Sequence, residues 1–253
     1  MIKYYLTDII YLENNKLYHN EKLIKDHNWH KLLSEYGWKK LHIQWIKKLN
    51  KYLKEMNVSD LIPRISNSSS KNSLFGCLDC GGDGDCFLHC LCYALNSKNI
   101  DTIVQEYDIH KLRNNISDMI TYDKYNEIIN IYKILVDSDD FDEDWDPYTI
   151  QFNEFKKKII EGGNEYWCDN ILINMIRDLL NINIIILNSN EIENKYYHYP
   201  ILYQYDKNLN TILLLYENND HFKLIGYFYQ NNMITYFDKN NIPNEILKLI
   251  QYL

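Results

Sequence analysis

Cys86 is the residue of this chain best placed to act as a nucleophile. It stands where the glycine-rich run Cys80-Gly81-Gly82-Asp83-Gly84-Asp85 meets Phe87, Leu88, Leu91, Ala94 and Leu95, apolar residues at helical spacing. Glycines allow turn conformations that a side chain forbids, and the apolar spacing predicts a helix buried on one broad face. The thiol therefore belongs to the first turn of that helix. Unpaired backbone N–H groups and the helix dipole favour a thiolate there. Such a thiolate attacks a carbonyl carbon if a base takes its proton and a further group orients the base.

The chain has 8 histidines to supply that base. His30 and His42 lie in a tryptophan-rich helical stretch, His198 lies in a Tyr-rich strand, and His89 follows Cys86 along its own helix, away from the loop. His221 differs. It stands in Glu217-Asn218-Asn219-Asp220-His221-Phe222, a polar loop between the apolar strand ending at Tyr216 and another beginning at Leu224. Loops at the edge of a buried sheet commonly hold catalytic side chains. A rival chemistry is zinc binding, since Cys77-x-x-Cys80 has Cys86, His89, Cys90 and Cys92 nearby. Against it, Cys90 and Cys92 diverge on a predicted helix and no second Cys-x-x-Cys pair exists. No metal and no cofactor is expected.

The elements that must position these residues follow from the patterning. With 253 residues, 46% hydrophobic and 25% charged, the chain can bury a substantial core. Residues 2–24 read as two strands separated at Glu13-Asn14-Asn15. Asn28 to Met56 keeps mostly helical spacing with a break at Gly37, and its three tryptophans are expected to pack rather than to dock a partner. Ser66 to Ser73 reads as a linker, which puts a boundary near residue 70 between an N-terminal extension (1–70) and a catalytic domain (74–253). Helices are expected over Tyr107–Ile134, over Phe152–Ile160 with Gly162-Gly163 as its stop, and over Ile171–Leu180. Ile184–Leu187 reads as a fully buried strand, and Tyr196–Tyr205, Thr211–Glu217, Lys223–Tyr229 and Met233–Phe237 as further strands. Ile242–Ile250 closes the chain as a helix. Helices first and a cluster of strands afterwards make the fold α+β.

Several function classes recede on composition. A net charge of −8 argues against general nucleic-acid binding. The apolar runs are too short to span a bilayer, and Asp8 interrupts the first of them, so neither a membrane span nor a leader is expected. Six cysteines without a leader suit reduced thiols in a cytoplasmic compartment. Abundant Asn, Ile, Lys and Tyr, all with AT-rich codons, suit a large DNA virus or an intracellular parasite, which makes the host cytoplasm the expected compartment if viral. The acidic run Asp137 to Asp146 reads as a solvated loop, or alternatively as a contact surface for a basic partner with Phe141 and Trp145 as anchors.

Three blocks together resemble the ovarian-tumour (OTU) family of cysteine proteases. Gly82-Asp-Gly-Asp-Cys-Phe-Leu-His-Cys-Leu91 is similar to that family's Gly-Asp-Gly-Asn-Cys signature followed by a helix. Glu165-Tyr166-Trp167-Cys168-Asp169 resembles its second block, usually Trp-Gly-Asp, and Leu213 to Ile225 its third, a strand followed by histidine and an aromatic residue, here His221-Phe222. The resemblance implies a papain-like fold, a small central sheet flanked by helices. It implies Cys86 as nucleophile, His221 as general base and Asp83 as the acidic residue that shapes the oxyanion loop. The oxyanion would be held by the N–H of Cys86 and one or more from Asp83, Gly84 and Asp85. Trp167 would pack near this loop. The implied reaction is hydrolysis of isopeptide bonds at the C-terminus of ubiquitin, polyubiquitin or a ubiquitin-like modifier by a monomeric enzyme, and the acidic run would suit ubiquitin's basic face.

The chain departs from the family in three places. Lys223 stands where many members carry an acceptor that orients the histidine, which leaves Asp220, Asn219, Asn231, Asn232 and Asp238 as candidates. It also keeps open a non-catalytic OTU-like binding module. Asp85 replaces the usual Asn, where it would cap the helix and, as a second carboxylate beside the thiolate, raise the thiol's pKa. Cys168 replaces the common Gly, as a space-filler.

Overall fold

Continuous β-branched runs form the centre of the sheet. The computed structural model describes residues 4–5, 10–13, 16–19, 22–23, 29–54, 73–97, 107–141, 144–192, 195–218, 220–229 and 232–252. By internal contacts the chain divides into two units, 1–79 with 183–253, and 80–182.

The first unit carries the sheets. Four short strands, β1 (Tyr4–Tyr5), β2 (Ile10–Glu13), β3 (Lys16–His19) and β4 (Lys22–Leu23), make an antiparallel meander. After α1 (Trp29–Leu33) a 3₁₀ turn, Ser34–Tyr36, ends at Gly37, the expected break. The chain then forms a short strand, β5 (Lys39–Lys40), before α2 (Ile43–Lys54), so the tryptophan-rich stretch is not helical throughout. The linker expected over 66–73 lies almost wholly outside the described residues.

The main sheet has eight strands. Its path runs from β5 through β6 (Phe75–Leu78), β10 (His221–Tyr229), β9 (Thr211–Glu217) and β7 (Asn183–Ile192) to β8 (Lys195–Leu202). Only β7 and β9 run parallel; the other pairs on the path are antiparallel. β11 (Asn232–Ile234) adds to β10, and β12 (Tyr236–Phe237) to β9. Ile184–Leu187 and Ile212–Leu215 are buried throughout, as continuous apolar runs require. Ile185, Leu187, Leu213, Leu215, Ile225 and Tyr227 share one core with Trp45 and Leu49 of α2 and with Ile246 and Leu249 of α8 (Asn244–Tyr252). Gly76 and Gly226 face each other across β6 and β10, and Trp29 and Trp38 lie so close over them that a Cβ at either would collide with an indole. The tryptophans of this stretch are buried side chains.

The second unit is helical: α3 (Cys86–Ser97), α4 (Ile109–Met119), α5 (Tyr122–Asp137), α6 (Phe152–Glu161) and α7 (Asn170–Leu180). The single helix expected over 107–134 is two, because Ile120 turns extended and Thr121 caps α5 by accepting from Lys124 N–H. Tyr132 is the centre of an aromatic cluster with Phe141, Trp145, Phe155 and Tyr166. Trp145 is only 8% exposed, so it and Phe141 pin the acidic run to the unit's own core. They are therefore not free to anchor a partner. The α+β class holds, and no described helix is long and apolar enough to cross a membrane.

Candidate active site

The sequence-predicted residues fall in both units. In the helical unit, Cys86 opens α3 and is buried. The turn before it closes by donation from Asp85 N–H to the Gly82 carbonyl at 3.2 Å, with φ of 57° at Asp83 and 81° at Gly84. Two successive positive φ angles explain why glycine and aspartate stand there. Asp85 N–H is committed to this turn and is not a free oxyanion donor. The Asp83 side chain is exposed, and its carbonyl lies against Gly163, where an added Cβ would come within 3.1 Å.

Asp85 is not a lone carboxylate beside the thiol, which corrects the sequence expectation. It pairs with Arg113 of α4, whose Nε donates at 2.9 Å and whose Nη2 closes the salt bridge. Arg113 is 1% exposed and also donates to the carbonyls of Ile159 (3.0 Å) and Tyr166 (3.2 Å). A buried guanidinium needs such partners, because leaving any donor unpaired costs the full desolvation of that group. Gly162, at φ 57°, leaves room for it: an added Cβ would lie 2.0 Å from Arg113 Nε. Arg113 thus ties the turn before Cys86 to the segment that follows α6.

In the second block, Tyr166 packs inward and Trp167 does not. Tyr166 is buried and its hydroxyl bonds that of Tyr132, whereas Trp167 is 44% exposed. Tyr132 also donates to Asp169 at 2.6 Å, and Asp169 caps α7 by accepting from Ile171 and Leu172 N–H. Burial pushes Cys168 well above the ordinary thiol range, with the negative charge of Asp169 adding to it. Burial likewise pushes Cys77 up to about 11 and Cys92 up to about 12. Cys77 and Cys92 remain thiols at pH 8, where less than about one part in a hundred is thiolate. Brief iodoacetamide treatment at that pH should leave them unmodified in peptide mass spectra, and rapid labelling of Cys92 contradicts the assignment. Among the described residues no group of three or more His, Cys, Asp or Glu is arranged to hold a metal ion.

In the sheet unit, His221 is the first residue of β10 and pairs with Glu217, so it belongs to the ladder rather than to a loop. Donation from Asp220 N–H to the Glu217 carbonyl, with Asn218 at φ 58°, makes the turn tight enough to close the ladder at that point. His221 Nε2 lies 3.1 Å from the Asp79 carboxylate. Asp79 follows β6, which pairs antiparallel with β10. Among the described residues, none of the acceptors expected from sequence takes this place. Asn232 pairs with Tyr229 at the far end of β10, and the Asp238 carboxylate accepts from Asn240 and Asn241 N–H. Asp220 is exposed, and Asn219 and Asn231 lie outside the described residues. Lys223 is paired with Glu217. Burial pulls its ammonium down, but the hydrogen bond and charge of Glu217, with Cys77 and Asp79 behind, outweigh this and raise it.

No protein-family model and no curated protein matches the chain. Solved structures do. An OTU deubiquitinase from Wolbachia pipientis wMel aligns at 14% identity over 71% of this chain and 96% of its own, with a TM-score of 0.39. The Hazara virus OTU, solved bound to ubiquitin, aligns at 13% identity over 70% of this chain and 98% of its own, with a TM-score of 0.37. Similarity of that degree assigns no activity.

Asp79 and Arg113 were not singled out from the sequence, while Tyr166 entered only within the second block and Gly162 only as a helix stop. Arg113 had a signal: it stands among Ile109, Leu112, Ile116 and Ile120 on the apolar stripe of its helix, where a charge needs a buried partner. Asp79 had none without the pairing of β6 to β10.

Proposed function

We propose that the protein is an OTU-type cysteine hydrolase that cleaves isopeptide bonds at the C-terminus of ubiquitin or a ubiquitin-like modifier, with Cys86 as nucleophile and His221 as base. The observation that carries this reading is the Asp79–His221 pair. A carboxylate accepting from Nε2–H holds the imidazole in one orientation and tautomer and leaves Nδ1 as the proton acceptor.

On this reading Cys86 Sγ attacks the carbonyl carbon as its proton passes to His221. The oxyanion receives hydrogen bonds from backbone N–H groups of the turn, those of Cys86 and Gly84 being the candidates once Asp85 N–H is committed. Collapse expels the lysine amine, which takes the proton from His221 and leaves a thioester on Cys86. Water, losing a proton to His221, then releases the modifier's carboxylate and restores the thiol. The acidic residue of the motif, Asp83, contributes through its positive-φ backbone, since its side chain is exposed. Lys223 no longer argues for a non-catalytic module, because Asp79 supplies the acceptor that Lys223 cannot.

Ubiquitin carrying a C-terminal electrophile tests the proposal. The intact protein should gain one ubiquitin mass at Cys86, and Cys86→Ala should gain none. Absence of an adduct with the intact protein overturns the reading.

A further inference from the structure

A concave site apart from His221 and Asp79 lies in the sheet unit, lined by His42, Gln44, Lys47, Lys48, Lys51 and His198 and about 790 Å³ in volume. It belongs to the edge of the main sheet: α2 supplies the lysines, and β8 supplies His198, with β7 and β9 between it and the strand that carries His221. Its walls are built. Trp45, fully buried, donates to Ser189 Oγ at 2.7 Å and meets His198 edge to face at 5.7 Å. His42 and His198 stack at 5.6 Å with their planes 17° apart. Lys48 donates to the His198 carbonyl and lies 5.4 Å from the centre of the Trp45 ring.

Among the described residues the lining contains cationic and titratable groups but no carboxylate, and α2 has no Asp or Glu anywhere in its length. Lys47 and Lys51 share a helix face at i and i+4, an arrangement of like charges that weakens a helix. Burial and Lys51 lower the Lys48 ammonium from its ordinary value, and burial, His42 and Lys48 lower His198. In a chain of net charge −8 this concentration of three lysines is against the trend of the whole. We propose that the pocket formed by His42, Lys47, Lys48, Lys51 and His198 binds a small ligand carrying two or more phosphate groups.

The class follows from geometry and charge. The cavity falls within the ~300–1,000 Å³ of small-molecule sites. Lysine ammoniums bind phosphate as point charges, and the three here arise within little more than one turn of α2. A nucleic acid or an anionic membrane would meet the repulsion of the whole negative chain. A compact polyanion inside the pocket is within the Debye length, about 10 Å at 0.1 M salt, of the local cations, which dominate what it feels.

Isothermal titration of the full chain with sodium tripolyphosphate at 0.1 M salt tests this. One saturable site is expected, tighter than for inorganic phosphate. Lys47→Gln combined with Lys51→Gln should weaken it about 100-fold, taking each charged hydrogen bond as worth about a factor of ten. Both lysines are exposed and repel each other at i and i+4, so the melting temperature should not fall. His42→Ala, which removes one stacked ring, should weaken binding independently. The proposal fails if tripolyphosphate does not saturate a site, if the double variant binds within twofold of the parent, or if inorganic phosphate binds as tightly. Tighter binding of a single-stranded oligonucleotide or of phosphatidylserine vesicles than of tripolyphosphate overturns the assignment to a small ligand.

Discussion

Replacing His221 with alanine should lower turnover of a ubiquitin isopeptide by about 10²–10⁴-fold with little change in KM, as loss of a general base does. Asp79→Ala should cost less, on the order of 10–10²-fold, because its carboxylate is 59% exposed and the bond to His221 competes with water. Asp79→Asn should remain within a few-fold of the parent, since an amide oxygen accepts the same N–H. The decisive measurement is the double variant. If Asp79 acts only by orienting His221, Asp79→Ala adds nothing once His221 is alanine. Additive losses place Asp79 elsewhere in the chemistry, and full activity of Asp79→Ala means another acceptor orients the ring. Lys223→Gln, which breaks the pair with Glu217 and removes a positive charge near Asp79 but touches neither His221 nor Cys86, should leave kcat within a few-fold of the parent value.

Residues whose position depends on local chain chemistry were legible in the sequence. The Gly81–Gly84 run, the helix starting at Cys86, the stop at Gly162 and the strand Thr211–Glu217 follow from turn residues and apolar period, and the structure has each of them. What escaped depends on pairing between distant segments. Phe75–Leu78 is four residues long and shows no alternation, so nothing marked it as the partner of β10. Without that pairing Asp79 is one polar residue among many, and the acceptors the sequence suggests all lie near His221 in the chain. The resemblance put Trp167 near the loop, but the neighbouring Tyr166 is the residue that turns inward. A phenol whose hydroxyl meets Tyr132, and whose carbonyl meets Arg113, is the better inward residue here.

The largest expected effect on stability comes from Arg113. Removing one member of a buried ion pair typically costs about 3–5 kcal/mol, because the remaining charge keeps its desolvation penalty. Asp85 retains some exposure, 18% of its side chain, which places Arg113→Met toward the lower end. A shift of that size lowers the melting temperature by roughly 10 °C in a chain of this length. Asp85→Asn should be milder, since Oδ1 still accepts from Arg113 while the charge is lost, and the pair Arg113→Met with Asp85→Asn should recover part of the loss by leaving no unpaired charge. Gly162→Ala is a second perturbation of the same site that removes no charge. Its Cβ would enter the space of the guanidinium, and φ of 57° resists any side chain, so it should destabilise the protein by backbone strain and, by displacing Arg113, disturb the turn before Cys86. Arg113 is a positioning residue in this account. At a temperature where the folded fraction is matched, Arg113→Met should therefore still show reduced adduct formation at Cys86 with electrophilic ubiquitin. A variant that is only less stable, and labels normally once folded, would show that the pair holds the unit together without setting the geometry of the turn.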